Sequence, residues 1–200
     1  MIPPTKKGWR GSWERARLAV LVGAVFNPFV LFTALFAATA FAEADLRDAL
    51  LYVGVELIVI GTLVIYLLIL RYKNSSGFWL PAKEERMIPA FVLLALGVAT
   101  VTLLDTVVAP PDLIRLTIAM LVTASLVTVA TLWIKASAHV AVASHCAVAA
   151  LTSIYLPGLV FLALVPLIMW ARLTERAHTP AEVTVGALAG ASIAAIAALI

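Results

Sequence analysis

Charge and cysteine are both scarce in this sequence of 200 residues. Asp, Glu, Lys and Arg together make up 12% of the chain, and Cys146 is the single cysteine. In a soluble domain about a quarter of the residues are charged. So low a charged fraction excludes a disordered chain and a nucleic-acid-binding module. Because one cysteine cannot form an internal disulfide, a disulfide-stapled secreted domain is excluded as well.

Long apolar runs account for most of the chain. It is 64% hydrophobic, with a mean hydropathy of +1.08. A helix needs about 20 apolar residues to cross the hydrocarbon core of a bilayer. The predicted spans cover residues 18–42, 49–70, 88–104, 113–134, 136–155, 156–170 and 183–200. We therefore expect an all-α, multi-pass protein of the cell membrane, a helical bundle of about seven transmembrane helices.

Proline and glycine mark breaks and contacts in these spans. The first span is long enough to kink at Asn27-Pro28, and the fifth and sixth are joined only by the Leu-Pro-Gly turn at 156–158. Gly186 and Gly190 lie four residues apart in the last span, a spacing that lets two helix backbones approach closely. The last span is therefore predicted to pack tightly against a neighbouring helix.

Basic residues are concentrated on one side of the predicted bundle. With seven spans, 12 of the 14 Lys and Arg residues fall in the N-terminal segment, the 71–87 loop, position 135 and the 171–182 segment. Basic residues favour cytoplasmic loops, so this side is predicted to face the cytoplasm. We expect a basic tail over residues 1–16 and a transmembrane helical domain over 17–200.

Three groups of polar residues meet the basic side. They are Lys83 with Arg86 before Pro89, Lys135-x-Ser137-x-His139, and Arg172-x5-His178-x3-Glu182. Ionisable groups at a membrane usually face the interior of the bundle or a water-filled cavity. Even numbers of spans separate the three groups, so the topology brings them to one bilayer surface. Lys135 and His139 are four residues apart and share a face if the helix already runs there.

Phosphoryl transfer is the chemistry that these residue types suggest. Lys and Arg neutralise a bound phosphate, and Arg does so through two parallel hydrogen bonds. One histidine can attack phosphorus while a carboxylate orients its ring, and a second histidine can protonate the leaving oxygen. No Asp-rich cluster, His-Glu-x-x-His motif or cysteine pair occurs to hold magnesium or zinc. We therefore expect no metal and no cofactor.

The three groups resemble the motifs of the type 2 phosphatidic acid phosphatase superfamily, particularly those of its divergent short bacterial members. The family pattern is Lys-x6-Arg-Pro, then Pro-Ser-Gly-His, then Ser-Arg-x5-His-x3-Asp. This chain has Lys-Glu-Glu-Arg-Met-Ile-Pro at 83–89, Ala-Ser-Ala-His at 136–139 and Ala-Arg-x5-His-x3-Glu at 171–182. The resemblance covers about residues 70–200, and the first two spans carry none of it.

The resemblance implies a role for each residue that matches a motif. His178 would be the nucleophile that forms a phosphohistidine, with Glu182 orienting it, and His139 would protonate the leaving alkoxide. Those expected to bind phosphate are Arg172, Arg86, Ser137 and one or both of Lys83 and Lys135. The implied activity is a metal-independent lipid phosphatase acting on a lipid phosphomonoester or a prenyl diphosphate. A six-helix, phosphatase-like bundle is the alternative architecture that the family implies.

Four departures from the family pattern motivate a different function. Ala138 stands in place of a glycine, Ala171 in place of a serine and Glu182 in place of an aspartate, and the first motif is compressed. A catalytically impaired relative, acting as a lipid-binding or assembly subunit of a membrane complex, is therefore the alternative. A small transporter that uses Glu56 and the histidines as a proton relay is a further one. The expected partners are membrane lipids, and an oligomer or larger complex stays open.

Glu182 also has a purely structural interpretation. Thr179-Pro180-Ala181-Glu182 forms a capping box, with Thr as N-cap, Pro at the first helical position and Glu at the third. The cap and the catalytic role are compatible only if the carboxylate is shared between them or if the threonine caps alone.

Three polar residues outside the motifs are expected to serve packing. His145 lies deeper in the fifth span, where a packed and hydrogen-bonded ring is expected. Asn27 and Glu56 are predicted to form bonds between helices, although a role in a cavity stays open for both. Cys146 is expected to be a small core residue.

Overall fold

The computed structural model describes the backbone of residues 6–74, 83–131 and 133–200, and the side chains of 13–70, 72, 91–131 and 133–200. These residues form eight helices: α1 (Lys6–Val25), α2 (Pro28–Glu43), α3 (Leu46–Asn74), α4 (Lys83–Thr106), α5 (Pro111–Ala130), α6 (Ala138–Ser153), α7 (Leu156–Thr174) and α8 (Pro180–Ala197). The all-α class is therefore as predicted. Residues 6–16, assigned by composition to the N-terminal tail, belong to the first helix.

Length and apolar composition separate the helices into two groups. α3, α5, α7 and α8 are each long and apolar enough to cross a membrane, and α1 with α2 makes a fifth span if the bent pair is counted as one. α6 and the apolar part of α4 are shorter. The described residues thus support a membrane-spanning bundle with four or five crossings, and the count of seven is not confirmed.

The predicted break at Asn27-Pro28 is present. α1 ends at Val25 and α2 begins at Pro28, with a bend of 46° between them. The Asn27 side-chain oxygen accepts hydrogen bonds from the backbone N–H groups of Phe29 and Val30, which have no partner inside the helix. Proline at the first helical position has no N–H to satisfy. Asn27 is therefore the N-cap of α2, and its Nδ2 also donates to the Ala24 carbonyl oxygen of α1 at 2.9 Å, so its side chain joins the two helices as predicted.

The short helix α6 lies at the centre of the bundle. Most of its residues are buried, and it packs most extensively against α8 and α7, with further contacts to α2 and α5. Gly186 and Gly190 of α8 face its backbone: a Cβ atom at Gly186 would lie 2.6 Å from Ser137 O, and one at Gly190 would overlap Ala141 O. The predicted close helix contact is confirmed: α8 packs directly against the backbone at the start of α6.

The connection between α6 and α7 differs from the predicted turn. α6 ends at Ser153 and α7 begins at Leu156, so the link is formed by residues 154–155 and not by 156–158. Pro157 lies in the first turn of α7, where the missing backbone N–H would have had no helical partner. The sequence Leu-Pro-Gly therefore starts the helix instead of interrupting the chain.

Candidate functional site

Five pieces of the chain meet at one end of the central helix. They are the turn before α6, the first turn of α6, the C-terminal end of α7, the α7–α8 loop and the start of α8. α1 closes this end through Gly23, which lies against Arg172 and Glu175. Six of the eight residues predicted for the phosphate site lie here: His178, Glu182, Lys135, Ser137, Arg172 and His139.

His178 lies in the α7–α8 loop with its ring oriented by the main chain. Its Nδ1 is 3.0 Å from the backbone carbonyl oxygen of Lys135, and its side chain is only 6% exposed. Because a carbonyl oxygen can only accept a hydrogen bond, Nδ1 carries the proton and Nε2 carries the lone pair. The fold therefore holds His178 in the tautomer that leaves Nε2 able to accept a proton or attack an electrophile.

Glu182 takes part in two interactions through a single oxygen. Its Oε2 accepts a hydrogen bond of 2.9 Å from Thr179 N and lies 3.4 Å from Nδ1 of His178. Thr179 Oγ1 in turn accepts from Glu182 N at 3.3 Å, so the predicted capping box is confirmed. The structural and the orienting interpretations of Glu182 are thus compatible, because the carboxylate is shared.

The electrostatic surroundings of His178 favour its neutral form. Burial is the largest influence, and it lowers the pKa of the imidazole from its ordinary value of 6.5. The positive charges of Arg172 and Lys135 lower this pKa further, while the bond to the Lys135 carbonyl and the charge of Glu182 act in the opposite direction. The net shift is downward, so the ring is neutral near pH 7.

Lys135 lies before α6 and not on it. α6 begins at Ala138 with Ser137 as its N-cap, so the helix does not run at Lys135 and the shared face with His139 is absent. The Lys135 ammonium instead donates a hydrogen bond of 3.1 Å to the carbonyl oxygen of Ala177. Two hydrogen bonds therefore join the turn before α6 to the α7–α8 loop: Lys135 Nζ donates to Ala177 O, and His178 Nδ1 donates to Lys135 O.

Ser137 is a buried junction between α6 and α8. The backbone N–H of Ser137 donates a hydrogen bond to the carbonyl oxygen of Glu182 at 3.1 Å, and Ser137 is fully buried. Its hydroxyl Oγ has no hydrogen-bond partner within the described part of the chain. A buried polar atom without a partner is costly, and such atoms often mark places where a ligand or water is accommodated.

Arg172 forms an ion pair that the sequence motifs do not indicate. It is 3% exposed at the end of α7, and its Nη1 lies 2.8 Å from Oε2 of Glu175. The pair is within one helical turn, at the i,i+3 spacing that favours such contacts. Glu175 is thus a charged member of this end of the bundle, and the guanidinium already has a carboxylate beside it.

His139 lies in the first turn of α6, facing α1. Its ring interacts electrostatically with the backbone of Gly23 and with the side chains of Arg172 and His178. A Cβ atom at Gly23 would come within 2.9 Å of Glu175 Oε1 and 3.4 Å of Arg172 Nη1. α1 therefore forms one wall of the site, although the family resemblance covers only about residues 70–200.

Two of the predicted phosphate ligands fall where side chains are not described. Lys83 and Arg86 belong to the first turn of α4 by their backbone, and their side chains lie outside the described residues. The predicted contribution of the first motif therefore stays a prediction.

His145 and Glu56, two further polar residues outside the motifs, have the packing roles that were expected of them. Thr123 Oγ1 lies 2.9 Å from Nδ1 of the fully buried His145, which joins α5 to α6. Thr33 Oγ1 donates to Oε1 of Glu56 at 2.8 Å, which joins α2 to α3. Cys146 is fully buried in the core, as predicted. Within the described ranges, no group of three or more His, Cys, Asp or Glu side chains is arranged to hold a metal ion.

Comparison of the chain with protein-family models, with curated proteins and with solved structures gives no match. What the site does is therefore argued from its own chemistry.

Proposed function

We propose that the chain is a membrane lipid phosphatase that hydrolyses a lipid phosphomonoester or a prenyl diphosphate through a phosphohistidine. The observation that carries the proposal is the orientation of His178. Its Nδ1 is held by the Lys135 carbonyl with Glu182 nearby, so that Nε2 is the reactive nitrogen. A neutral imidazole oriented by an acceptor on its other nitrogen is the arrangement that nucleophilic catalysis by histidine requires.

The reaction would proceed in two balanced steps. Nε2 of His178 attacks phosphorus as the bond from phosphorus to the lipid oxygen breaks, and a protonated His139 gives its proton to the leaving alkoxide. Water then attacks the phosphohistidine while His139 takes up a proton, which releases inorganic phosphate and restores His178. Arg172, Lys135 and Ser137 would stabilise the negative charge of the transferring group, together with Lys83 and Arg86.

The proposal includes a topology. We place the site at the cytoplasmic face of a seven-span bundle, in which α1 and α2 together form one span and each later helix forms another. The concentration of Lys and Arg on that side supports this orientation. Cysteine labelling of single-cysteine variants from both sides of the membrane tests it: positions 135 and 176 should react from the same side, and position 47 from the other.

The decisive experiment is phosphate release by the purified full-length protein with a chelator present. We expect turnover of phosphatidate or a prenyl diphosphate, loss of turnover in His178→Ala, and an acid-labile, alkali-stable phosphoenzyme that His178→Ala does not form. His145→Gln is the matched control, because that histidine lies outside the site. The proposal is overturned by the absence of turnover on every lipid phosphate tried, or by undiminished turnover in His178→Ala.

One observation favours the second candidate, a catalytically impaired relative that binds lipid headgroups or assembles with a membrane complex. The ion pair between Arg172 and Glu175 places a carboxylate where a phosphate would otherwise meet the guanidinium. Tight binding of a lipid phosphate without its hydrolysis, or a partner protein that co-purifies in fixed stoichiometry, would favour this candidate over the phosphatase.

A further inference from the structure

A second polar feature lies away from the histidines, in a cavity between α2, α3, α4, α5 and α6. The cavity has a volume of about 260 Å³, and almost all of its wall is apolar. Its residues include Phe29, Phe32, Ile60, Leu96 and Met120. An apolar cavity with a few placed polar groups is the usual form of a site for a lipophilic small molecule.

Glu56 is the charged residue in this wall. It is 1% exposed, its Oε1 accepts the hydrogen bond from Thr33, and its Oε2 has no hydrogen-bond partner among the residues that the structure describes. No Lys, Arg or His side chain of the described residues lines the cavity with it. A carboxyl group buried in this way is costly unless something pairs with it, and a group of this kind inside a membrane marks a functional site by default.

Four threonines also line the cavity, and the hydroxyl of one of them, Thr123, is paired with His145 Nδ1. Thr100, Thr117 and Thr128 each give their single hydroxyl proton to a carbonyl oxygen of their own helix, at 2.9, 2.8 and 2.8 Å. Their oxygens keep lone pairs, so these hydroxyls, like Oε2 of Glu56, can accept a hydrogen bond from a ligand. A ligand head that donates hydrogen bonds and carries a positive charge is therefore complementary to this wall.

We infer that the cavity binds a single-chain lipophilic primary amine, with its ammonium group against Glu56 and its alkyl chain along the apolar wall. An ammonium group has three donors and no acceptor, which complements the acceptors of the cavity. Its charge compensates the buried carboxylate, and the alkyl chain contributes the burial of apolar surface. The groups that would bind the ammonium lie outside the motifs that contain the histidines, and of the motif residues only Ala138 lines the cavity, so this site does not depend on the proposed phosphatase activity.

Native mass spectrometry of the full-length protein released from detergent tests the inference, with decylamine as the probe and decanol as its uncharged counterpart. We expect one decylamine per chain and binding of decanol that is weaker by about tenfold or more, because the alcohol leaves the carboxylate uncompensated. Equal affinity for decylamine and decanol, or no binding of decylamine, overturns the inference.

A variant that removes the charge of Glu56, together with a matched control, locates the site. Glu56→Gln keeps the size of the side chain and should weaken decylamine binding by about tenfold or more, since it removes the charge that the ammonium pairs with. Glu43→Gln removes an exposed acid at the end of α2 and should bind like the wild type. Unchanged affinity in Glu56→Gln overturns the inference.

A cavity-filling variant keeps the test decisive if Glu56→Gln fails to fold. Ala124 lines the cavity and is half-buried, so Ala124→Phe places a ring in the space that the alkyl chain needs while Glu56 is retained. Loss of decylamine binding in Ala124→Phe supports the inference, and wild-type binding contradicts it. Phosphate release is not part of either readout, so failure here leaves the proposed phosphatase to its own experiment.

Discussion

One carboxylate oxygen of Glu182 serves both the N-terminus of α8 and the ring of His178. Oε2 accepts from Thr179 N at 2.9 Å and lies 3.4 Å from Nδ1 of His178. The start of a helix and the orientation of an imidazole are thereby coupled. Because the capping box also satisfies backbone groups, loss of Glu182 cannot be interpreted as a catalytic effect without a measurement of stability.

Glu182→Gln separates the two roles. A glutamine at this position still completes a capping box, so the free energy of unfolding should change little. The loss of the negative charge 3.4 Å from His178 Nδ1 should lower phosphate release by about 10- to 100-fold, because that charge stabilises the imidazole as it becomes positive during the attack. Glu182→Ala is the comparison, and it should lose about 1 kcal/mol of stability as well. Full activity in Glu182→Gln would show that the carboxylate acts only as a cap.

Acid should destabilise the fold through His178. Its pKa is below the ordinary value of 6.5 in the folded protein, so the unfolded chain binds a proton at a higher pH than the folded chain does. The free energy of unfolding should therefore fall as the pH falls below about 6.5, and level off below the folded pKa. Thermal unfolding of wild type and His178→Gln between pH 7 and pH 5 measures this, and the variant should show the smaller dependence.

Glu175→Gln should increase phosphate affinity at Arg172. The substitution removes the charge that pairs with the guanidinium, so inorganic phosphate or vanadate should bind more tightly by about tenfold. Without a ligand the variant should be less stable than wild type, since one partner of a buried ion pair is lost. Isothermal titration with vanadate measures the affinity. Glu43→Gln controls for the change in net charge, and an unchanged affinity in Glu175→Gln would contradict the expectation.

Gly186→Ala should destabilise the bundle and disturb the site together. The added methyl would lie 2.6 Å from Ser137 O, and that oxygen belongs to backbone that cannot move aside freely. Overpacking of this kind costs about 1–3 kcal/mol. Gly61→Ala in α3 is the matched control, because a Cβ atom there has nothing within 4 Å. Thermal unfolding in detergent compares the two. Equal melting temperatures would show that α8 shifts at no cost.

Apolar runs and breakers in the sequence predict every helix but not the number of crossings. The pair Asn27-Pro28 locates the break between α1 and α2 because its side-chain and backbone chemistry act locally. The count of spans depends on where short helices such as α6 lie relative to the bilayer. That position is set by packing against α7 and α8, which no local pattern encodes.

Motif spacing in the candidate site predicts six residues that the fold brings to one end of α6, but it does not predict their neighbours. Gly23 has no side chain whose chemistry could indicate a functional role in the sequence. Its position in the site depends on the close approach of α1 to α7. In the sequence, Glu175 is one of several charged residues in the segment between two predicted spans, and nothing distinguishes it from the others. Only the i,i+3 contact with Arg172 shows that it belongs to the site.

The bond from His178 to the main chain has a consequence for mutational tolerance. The acceptor is the carbonyl oxygen of Lys135, which every amino acid at that position would also provide. A saturation library at position 135 should therefore vary the charge near the site while the imidazole keeps its tautomer. Substitution of the side chain at position 135 should therefore leave the orientation of the His178 ring unchanged. That orientation depends instead on the length and path of the turn that precedes α6.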